Sequence, residues 1–305
     1  MKEKLVSTKK KKYKDILFEV KDQVAWITIN RPRVMNAFRE QSLDEMIEAV
    51  KSTREDPSIA CIVFQGAGNQ AFSAGGDFYA MKRLTFTNAA MWNDRMLGLA
   101  MAIRGVPIPV IAKVNGWCMG GGHELALWCD LVIASEKSML GQTGAKVGAC
   151  PTVGATQYLP RIIGERLARE MIFLARRFTA AEAEKIGLIN KCVPEDKLDE
   201  ETLAWCETIK GHSSQTIRMT KKSLNMESDQ LYGSWQQGME LLAHVWGSEE
   251  SLEGMNAFLE GRKPDFQKFR LRNKAALEEY LDGFHRHLNA PPDMRNFPRS
   301  EEHTS

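Results

Sequence analysis

The chain is predicted to be an α/β protein in which strand and helix segments alternate through most of its length and helices alone follow. Three observations carry that expectation. Short apolar runs such as Cys61-Ile62-Val63-Phe64 and Pro109-Val110-Ile111-Ala112-Lys113-Val114 read as buried strands. Each leads into a glycine-rich turn, Phe72-Ser73-Ala74-Gly75-Gly76-Asp77 and Gly120-Gly121-Gly122-His123-Glu124, and the second opens a helical stretch. From about residue 196 the strand signals stop and only helical spacing remains.

Taken in order, residues 15–20 and 24–30 read as two strands around a Lys21-Asp22 turn, their apolar residues partly alternating. Residues 42–51 form an amphipathic helix with Leu43, Met46, Ile47 and Val50 at helical spacing. Strand 60–65, a loop, strand 109–114, helix 122–129 and strand 131–134 then repeat a β-β-α theme. A loop over about 140–153 leads into helices with Ala168, Met171, Ile172 and Leu174 on one side. Helices are expected over 203–209, 216–224, 231–245 and 249–260, with Gly247-Ser248 as break and N-cap. After Phe266 comes a tail in which 275–287 reads as a short helix, ended by Asn289-Ala290-Pro291-Pro292; the last residues read as disordered.

Composition narrows the function classes. At 305 residues and 43% apolar content the chain suits one large domain or two small ones with a substantial core. A net charge of +2 argues against nucleic acid or an anionic membrane as the main partner. The six cysteines lie far apart, without a C-x-x-C, so reduced buried thiols in a cytoplasmic protein are expected and a zinc site is not. The basic start, with Lys9-Lys10-Lys11-Lys12, has no apolar segment behind it and does not read as a secretory signal. No apolar run approaches the ~20 residues of a membrane span, so a soluble protein is expected.

The two glycine turns point to chemistry. Glycine lets a ligand approach backbone N–H groups closely, and a helix N-terminus leaves its first N–H groups unpaired beside a favourable dipole. Two such donors aimed at one point make an oxyanion hole for a carbonyl oxygen that gains charge. Phosphate-loop templates do not fit: there is no G-x-x-x-x-G-K-[ST], and Gly66-Ala67-Gly68 lacks the third glycine of the dinucleotide fingerprint.

Asn30-Arg31-Pro32 with Asn36-Ala37, the two glycine turns, Cys129-Asp130-Leu131-Val132-Ile133-Ala134-Ser135 and Leu140-Gly141-Gln142 together resemble the crotonase (enoyl-CoA hydratase/isomerase) superfamily. The likeness continues through Thr179-Ala180-Ala181-Glu182-Ala183 and Gly187-Leu188-Ile189-Asn190 to Arg262-Lys263-Pro264-Asp265-Phe266, covering about residues 13–268. It implies a ββα spiral fold with a C-terminal helical trimerisation region. The corresponding divisions are a basic flexible arm (1–12), a spiral core with the active site (13–195), a helical oligomerisation region (196–268) and a partly disordered extension (269–305). It also implies an acyl-CoA thioester substrate, with coenzyme A as part of the substrate and no separate cofactor, and a homotrimer or dimer of trimers. The oxyanion donors carried over are the N–H groups of Gly76 and Gly121. Ala74 and Asp77 belong to the first motif, and Arg33, Lys82 and Lys263 are candidates for the coenzyme A rim. Tyr79, Met81 and Trp92 fall in the segment that shapes the acyl pocket in relatives.

Glu124 is the candidate acid/base. It lies within one turn of Gly121, and a carboxylate held in an apolar pocket has its pKa raised toward neutrality. In hydratases of the superfamily the matching glutamate is one of a catalytic pair; the second member would stand two residues after Gln142, where this chain has Gly144. The stretch Gln142-Thr143-Gly144 resembles the bicarbonate-holding segment of dihydroxynaphthoyl-CoA synthase. The serine and aspartate that follow there are Ala149 and Pro151 here, and the C-terminal tyrosine is Trp246, so this chain is not read as that synthase. Gly120 to Glu124, Gly141 to Lys146 and Gly154-Ala155-Thr156-Gln157-Tyr158-Leu159-Pro160 together resemble cyclic oxoacyl-CoA ring hydrolases. His123 reads as a structural histidine, Asp77 as a cap that orients its turn, and Cys150 as a pocket residue without a paired base. The leading expectation is hydration of an enoyl-CoA, cyclic substrates included. The alternatives are hydrolytic C–C cleavage of a cyclic β-oxoacyl-CoA, or a non-catalytic scaffold or RNA-binding homologue that uses the basic arm.

Overall fold

The structure, a computed structural model, describes residues 12–289. Most of the expected basic arm, residues 1–11, and the end of the expected extension, 290–305, lie outside the described residues.

The chain opens with the antiparallel hairpin of β1 (Ile16–Lys21) and β2 (Val24–Ile29). Asp22 and Gln23 form its turn with φ of 49° and 63°; two left-handed residues in a two-residue loop match the strand twist. Helix α1 (Glu40–Ser52) buries Leu43, Met46, Ala49 and Val50 at helical spacing. Strand β3 (Cys61–Gly66) pairs parallel with β2. β4 (Ala71–Ser73), α2 (Phe78–Met81) and α3 (Ala89–Gly105) follow, then β5 (Val110–Val114), β6 (Trp117–Met119) and α4 (Gly121–Trp128). Next come β7 (Leu131–Ser135), β8 (Met139–Gly141), α5 (Ala155–Ile163), α6 (Glu165–Phe173), β9 (Arg177–Thr179), α7 (Ala180–Lys185) and β10 (Lys191–Val193). Helices α8 (Leu198–Lys210), α9 (Ser214–Asp229), α10 (Tyr232–Val245) and α11 (Glu249–Leu259) complete the main unit, which ends at Pro264. From Asp265 the chain forms a second unit containing α12 (Gln267–Asn289).

Successive ββα turns place one strand in each of two sheets. The larger sheet has the order β1-β2-β3-β5-β7-β10, parallel from β2 onward, and the smaller has β4-β6-β8-β9. Strand β3 is buried on both faces, as a central parallel strand must be. Ile62 and Phe64 join the main core, whereas Cys61 and Val63 face a second cluster completed by Leu198 and Cys206 of α8. Lys221 of α9 is buried and locks the helical region to the core. Its Nζ donates to the carbonyls of Ile103 and Ile108 at 3.0 Å each and to Asp130 Oδ2 at 2.6 Å.

The expected elements are present, and local chemistry sets several of their ends. Thr179 and Glu182 form a reciprocal capping box on α7. Ser248 caps α11 by accepting from the Ser251 N–H, directly after Gly247 at φ 77°. Several helices depart from expectation, the short α2 and α7 having no counterpart in the sequence reading. Helix α3, seventeen residues long, has no counterpart in the sequence reading; Met91 and Met101 lie exposed opposite the buried Trp92, Met96 and Leu99, which blurs its apolar stripe. Helix α12 starts at Gln267, well before the expected 275. Strands β4, β6, β8 and β9 are three residues each, too short to show alternation.

Candidate active site

The first glycine turn is held by the loop before α1. Phe38 and Gly76 form an isolated bridge: the Phe38 N–H donates to the Gly75 carbonyl at 2.8 Å, and the Asp77 N–H to the Phe38 carbonyl at 2.9 Å. Asn36 ties the same loop down, its Nδ2 donating to the carbonyls of Ala67 and Ala71. Ser73 Oγ donates to the Asn36 carbonyl and accepts from the Gly75 N–H. Asp77 caps α2 by accepting from the Tyr79 N–H at 2.9 Å, and its other oxygen accepts from Arg31 Nη2 at 2.8 Å. Arg31 also lies 3.7 Å from Asp15, which Arg39 and Ser42 bind in turn. This ion-pair network makes Asp77 a brace beneath the turn, as its capping role in the sequence suggested.

The second turn abuts the first. Gly75 has φ 93°, and a Cβ there would fall 2.7 Å from the Gly121 nitrogen and 2.9 Å from the Met119 carbonyl oxygen. A Cβ on Gly122 would fall 2.3 Å from the Ser73 carbonyl oxygen. Glycine is therefore required on both sides of the contact. Gly120 adopts φ 51°, ψ −123°, after which α4 begins at Gly121. Among the described residues, neither the Gly76 nor the Gly121 N–H donates a hydrogen bond. Both glycines line one cavity of about 70 Å³.

Glu124 also lines this cavity and is 4% exposed. Its Oε1 accepts from the Val153 N–H at 2.9 Å, just before α5. Burial pushes its pKa up to about 8, against the opposing pull of the Val153 and Ala155 N–H groups. The lining is otherwise mainly apolar, with Phe38, Met81, Trp92, Met96, Leu242 and Trp246 among it. His123, the neighbour of Glu124, is 1% exposed, and burial pushes its pKa down to about 4. Its Nδ1 lies 3.0 Å from Gln142 Nε2, which also donates to the Gly120 carbonyl at 3.3 Å. The imidazole is thus neutral, accepting at Nδ1.

The fold therefore brings together Gly76, Gly121, Glu124, Gln142, Gly144 and Cys150 of the sequence-read set. Cys150 is exposed at the mouth, and desolvation holds its thiol above the ordinary range, the opposite of an activated nucleophile. Thr143 is half-buried off the lining. Of the segment expected to shape the pocket, Met81 and Trp92 line it, whereas Tyr79 is 66% exposed and does not. Arg33, Ala74, Lys82 and Lys263 are exposed and do not line this pocket. Phe38, Leu242 and Val153 were missed as pocket residues; an apolar residue in a loop or helix carries no local signal of a site. Among the described residues there is no His, Cys, Asp and Glu cluster that would hold a metal ion, and no helix long and apolar enough to cross a membrane.

Residues 19–269 match the family described as enoyl-CoA hydratase/isomerase. The chain belongs to that family. Solved relatives share the fold of this crotonase over nearly their whole length. An enoyl-CoA hydratase from Mycobacterium avium subsp. paratuberculosis K-10 is 26% identical with a TM-score of 0.77, covering 84% of this chain and 99% of the relative. An enoyl-CoA hydratase/isomerase from Xanthobacter autotrophicus Py2 is 31% identical with a TM-score of 0.76, over 82% and 94%. An enoyl-CoA hydratase from Bacillus anthracis is 31% identical with a TM-score of 0.68, over 82% and 98%. Members of this family act on acyl-CoA thioesters, and the crotonase spiral with its C-terminal helical region is the fold described above.

Proposed function

We propose that this crotonase adds water to the double bond of an enoyl-CoA through a thioester enolate. One observation carries the reading: a single buried carboxyl, Glu124, shares a small apolar cavity with two glycine N–H groups that have no partner. The thioester oxygen takes the Gly76 and Gly121 N–H groups. As the water oxygen bonds to the β-carbon, the C=C electrons move into the thioester, where those donors hold the charge. Glu124 takes the proton that the water loses and returns it to the α-carbon, ending in its starting state. One carboxyl suffices because the same group accepts and delivers.

Several features support the rest of the reading. Arg33, Lys82 and Lys263 are exposed cations suited to the coenzyme A phosphates, with the Ala74 backbone beside the first turn. A homotrimer or dimer of trimers is assigned to the helical region, where Met219, Leu224 and Met226 are exposed.

The test is incubation with linear and cyclic enoyl-CoA and β-oxoacyl-CoA thioesters, following product masses. Gain of one water with loss of the double-bond absorbance is expected on an enoyl-CoA, its ring kept where it has one. Replacing Glu124 by Gln should lower turnover by about 10²-fold or more while thioester binding persists. A ring-opened dicarboxylic mono-thioester would establish hydrolysis instead. Wild-type turnover in the Glu124→Gln variant would remove Glu124 from the chemistry.

A further inference from the structure

We propose that α12 pairs antiparallel with the α12 of a second copy of this chain, so that two assemblies of the main unit are joined through the C-terminal extension. The family match ends at Phe269, which makes almost all of α12 (Gln267–Asn289) an addition to the family pattern. Nothing among the described residues of its own unit packs on it, and every residue from Arg270 to Asp282 is exposed. A helix in a protein owes most of its stability to the packing of an apolar face and little to propensity. A bare helix of 23 residues therefore calls for a partner.

Spacing and contact define the face to be covered. Leu277, Tyr280, Leu281 and Phe284 recur at i, i+3, i+4 and i+7, the spacing of one helix stripe, and each is between 42% and 66% exposed. The Tyr280 and Phe284 rings stack with centroids 6.4 Å apart, so these two side chains share the stripe. Contiguous exposed apolar surface of this kind marks an interaction site.

Charge identifies the occupant. Residues 267–277 carry four basic side chains, Lys268, Arg270, Arg272 and Lys274, and no acidic one. Residues 278–284 carry three acidic side chains, Glu278, Glu279 and Asp282, and no basic one. Lys274 and Glu278, 3.6 Å apart, mark the boundary between the two blocks. A parallel copy would set like blocks side by side, whereas an antiparallel copy lays each basic block along its partner's acidic block. An anionic membrane would attract the basic block but repel the acidic one, which is the block that carries most of the apolar stripe. The helix is thus complementary to itself, as a two-fold interface requires. Such a pair cannot be repeated among the three subunits of a symmetric trimer, so it joins one trimer to another. That last step rests on the trimer proposed above and selects the dimer of trimers; the pairing itself does not depend on it.

Light scattering of the full-length protein at one fixed concentration tests the pairing. The wild type should have twice the mass of a Leu277→Asp/Leu281→Asp variant, which puts charge on the stripe. Leu277→Met/Leu281→Met should keep the wild-type mass. An all-basic helix (Glu278→Lys/Glu279→Lys/Asp282→Lys) and an all-acidic one (Lys268→Glu/Arg270→Glu/Arg272→Glu/Lys274→Glu) should each stay at the halved mass alone. Mixed, the two should return to the wild-type mass. Equal mass for the wild type and the Asp variant would overturn the pairing, as would charge variants that stay apart when mixed. A wild type at the halved mass that attaches to phosphatidylserine vesicles would also overturn it and give the face to a membrane. The number of chains in the Asp variant reads the main-unit assembly separately: three establishes the trimer, and any other number removes the trimer without touching the pairing. Acyl-CoA thioester binding by each variant, followed by calorimetry, shows that the main unit is folded.

Discussion

Replacing Glu124 by Gln should change the pH dependence of stability in a way that its burial dictates. The folded-state pKa of Glu124 rises from its ordinary 4.5 to about 8. A carboxyl raised in this way contributes stability that is fully present below about 4.5 and is lost as the pH climbs through about 8. Between those values the unfolded chain releases a proton that the folded chain keeps. The slope is about 1.4 kcal/mol per pH unit, or roughly 3–4 kcal/mol between pH 5 and pH 8. His123 acts in the opposite sense: its pKa is pushed down from 6.5 to about 4, so its contribution is lost as the pH falls through that window. Because His123 is common to both proteins, the difference between wild type and Glu124→Gln isolates the carboxyl. Any fixed cost of the amide cancels as well, since only the slope is compared. Urea unfolding at a fixed protein concentration across pH 5–9 measures it. The variant should gain on the wild type steadily up to about pH 8 and more slowly beyond. Parallel stability curves would refute a buried, neutral Glu124.

Further expectations follow from the same geometry. If ionised Glu124 takes the water proton, kcat/KM in the hydration direction should rise about tenfold per pH unit and level off near pH 8, and a flat profile would deny it the role of base. Gly75→Ala should cost about 2–4 kcal/mol in thermal or urea unfolding, because φ 93° and a Cβ 2.7 Å from the Gly121 nitrogen are both unfavourable. It should also lower kcat more than it raises KM, since the glycine contact sets the two N–H donors. Lys221→Met leaves the Val110 N–H as the partner of the Asp130 carboxylate among the described residues and should destabilise by about 2–3 kcal/mol, read from the shift in urea midpoint.

Much of the site was legible along the chain because glycine has few reasons to recur at strand ends. Gly75, Gly76, Gly120 and Gly121 announced close backbone approach, and Glu124 followed Gly121 by less than one helical turn, so their proximity needed no tertiary information. Gln142 came with its motif, but its partners did not. Its Nε2 meets the Gly120 carbonyl and His123, which only the meeting of β8 with the second turn brings together. Tyr79 shows the converse: its place in a pocket-shaping segment says nothing of direction, and α2 turns it to solvent. Helix α3 escaped notice because methionines on both of its sides erase the contrast that marks an amphipathic face.

By itself, the sequence determined the longer strands and most of the long helices, the glycine turns, and the carboxyl beside the second of them. These depend on local properties: apolar period, backbone freedom at glycine, and capping side chains such as Thr179 and Ser248. Only the tertiary structure decided that the two turns touch, that Glu124 is buried enough to hold its proton near neutrality, and that Gln142 pairs with His123 and the Gly120 carbonyl. Those properties depend on which atoms exclude water from which others. Desolvation arises from distant segments packed together, and no stretch of chain carries it alone.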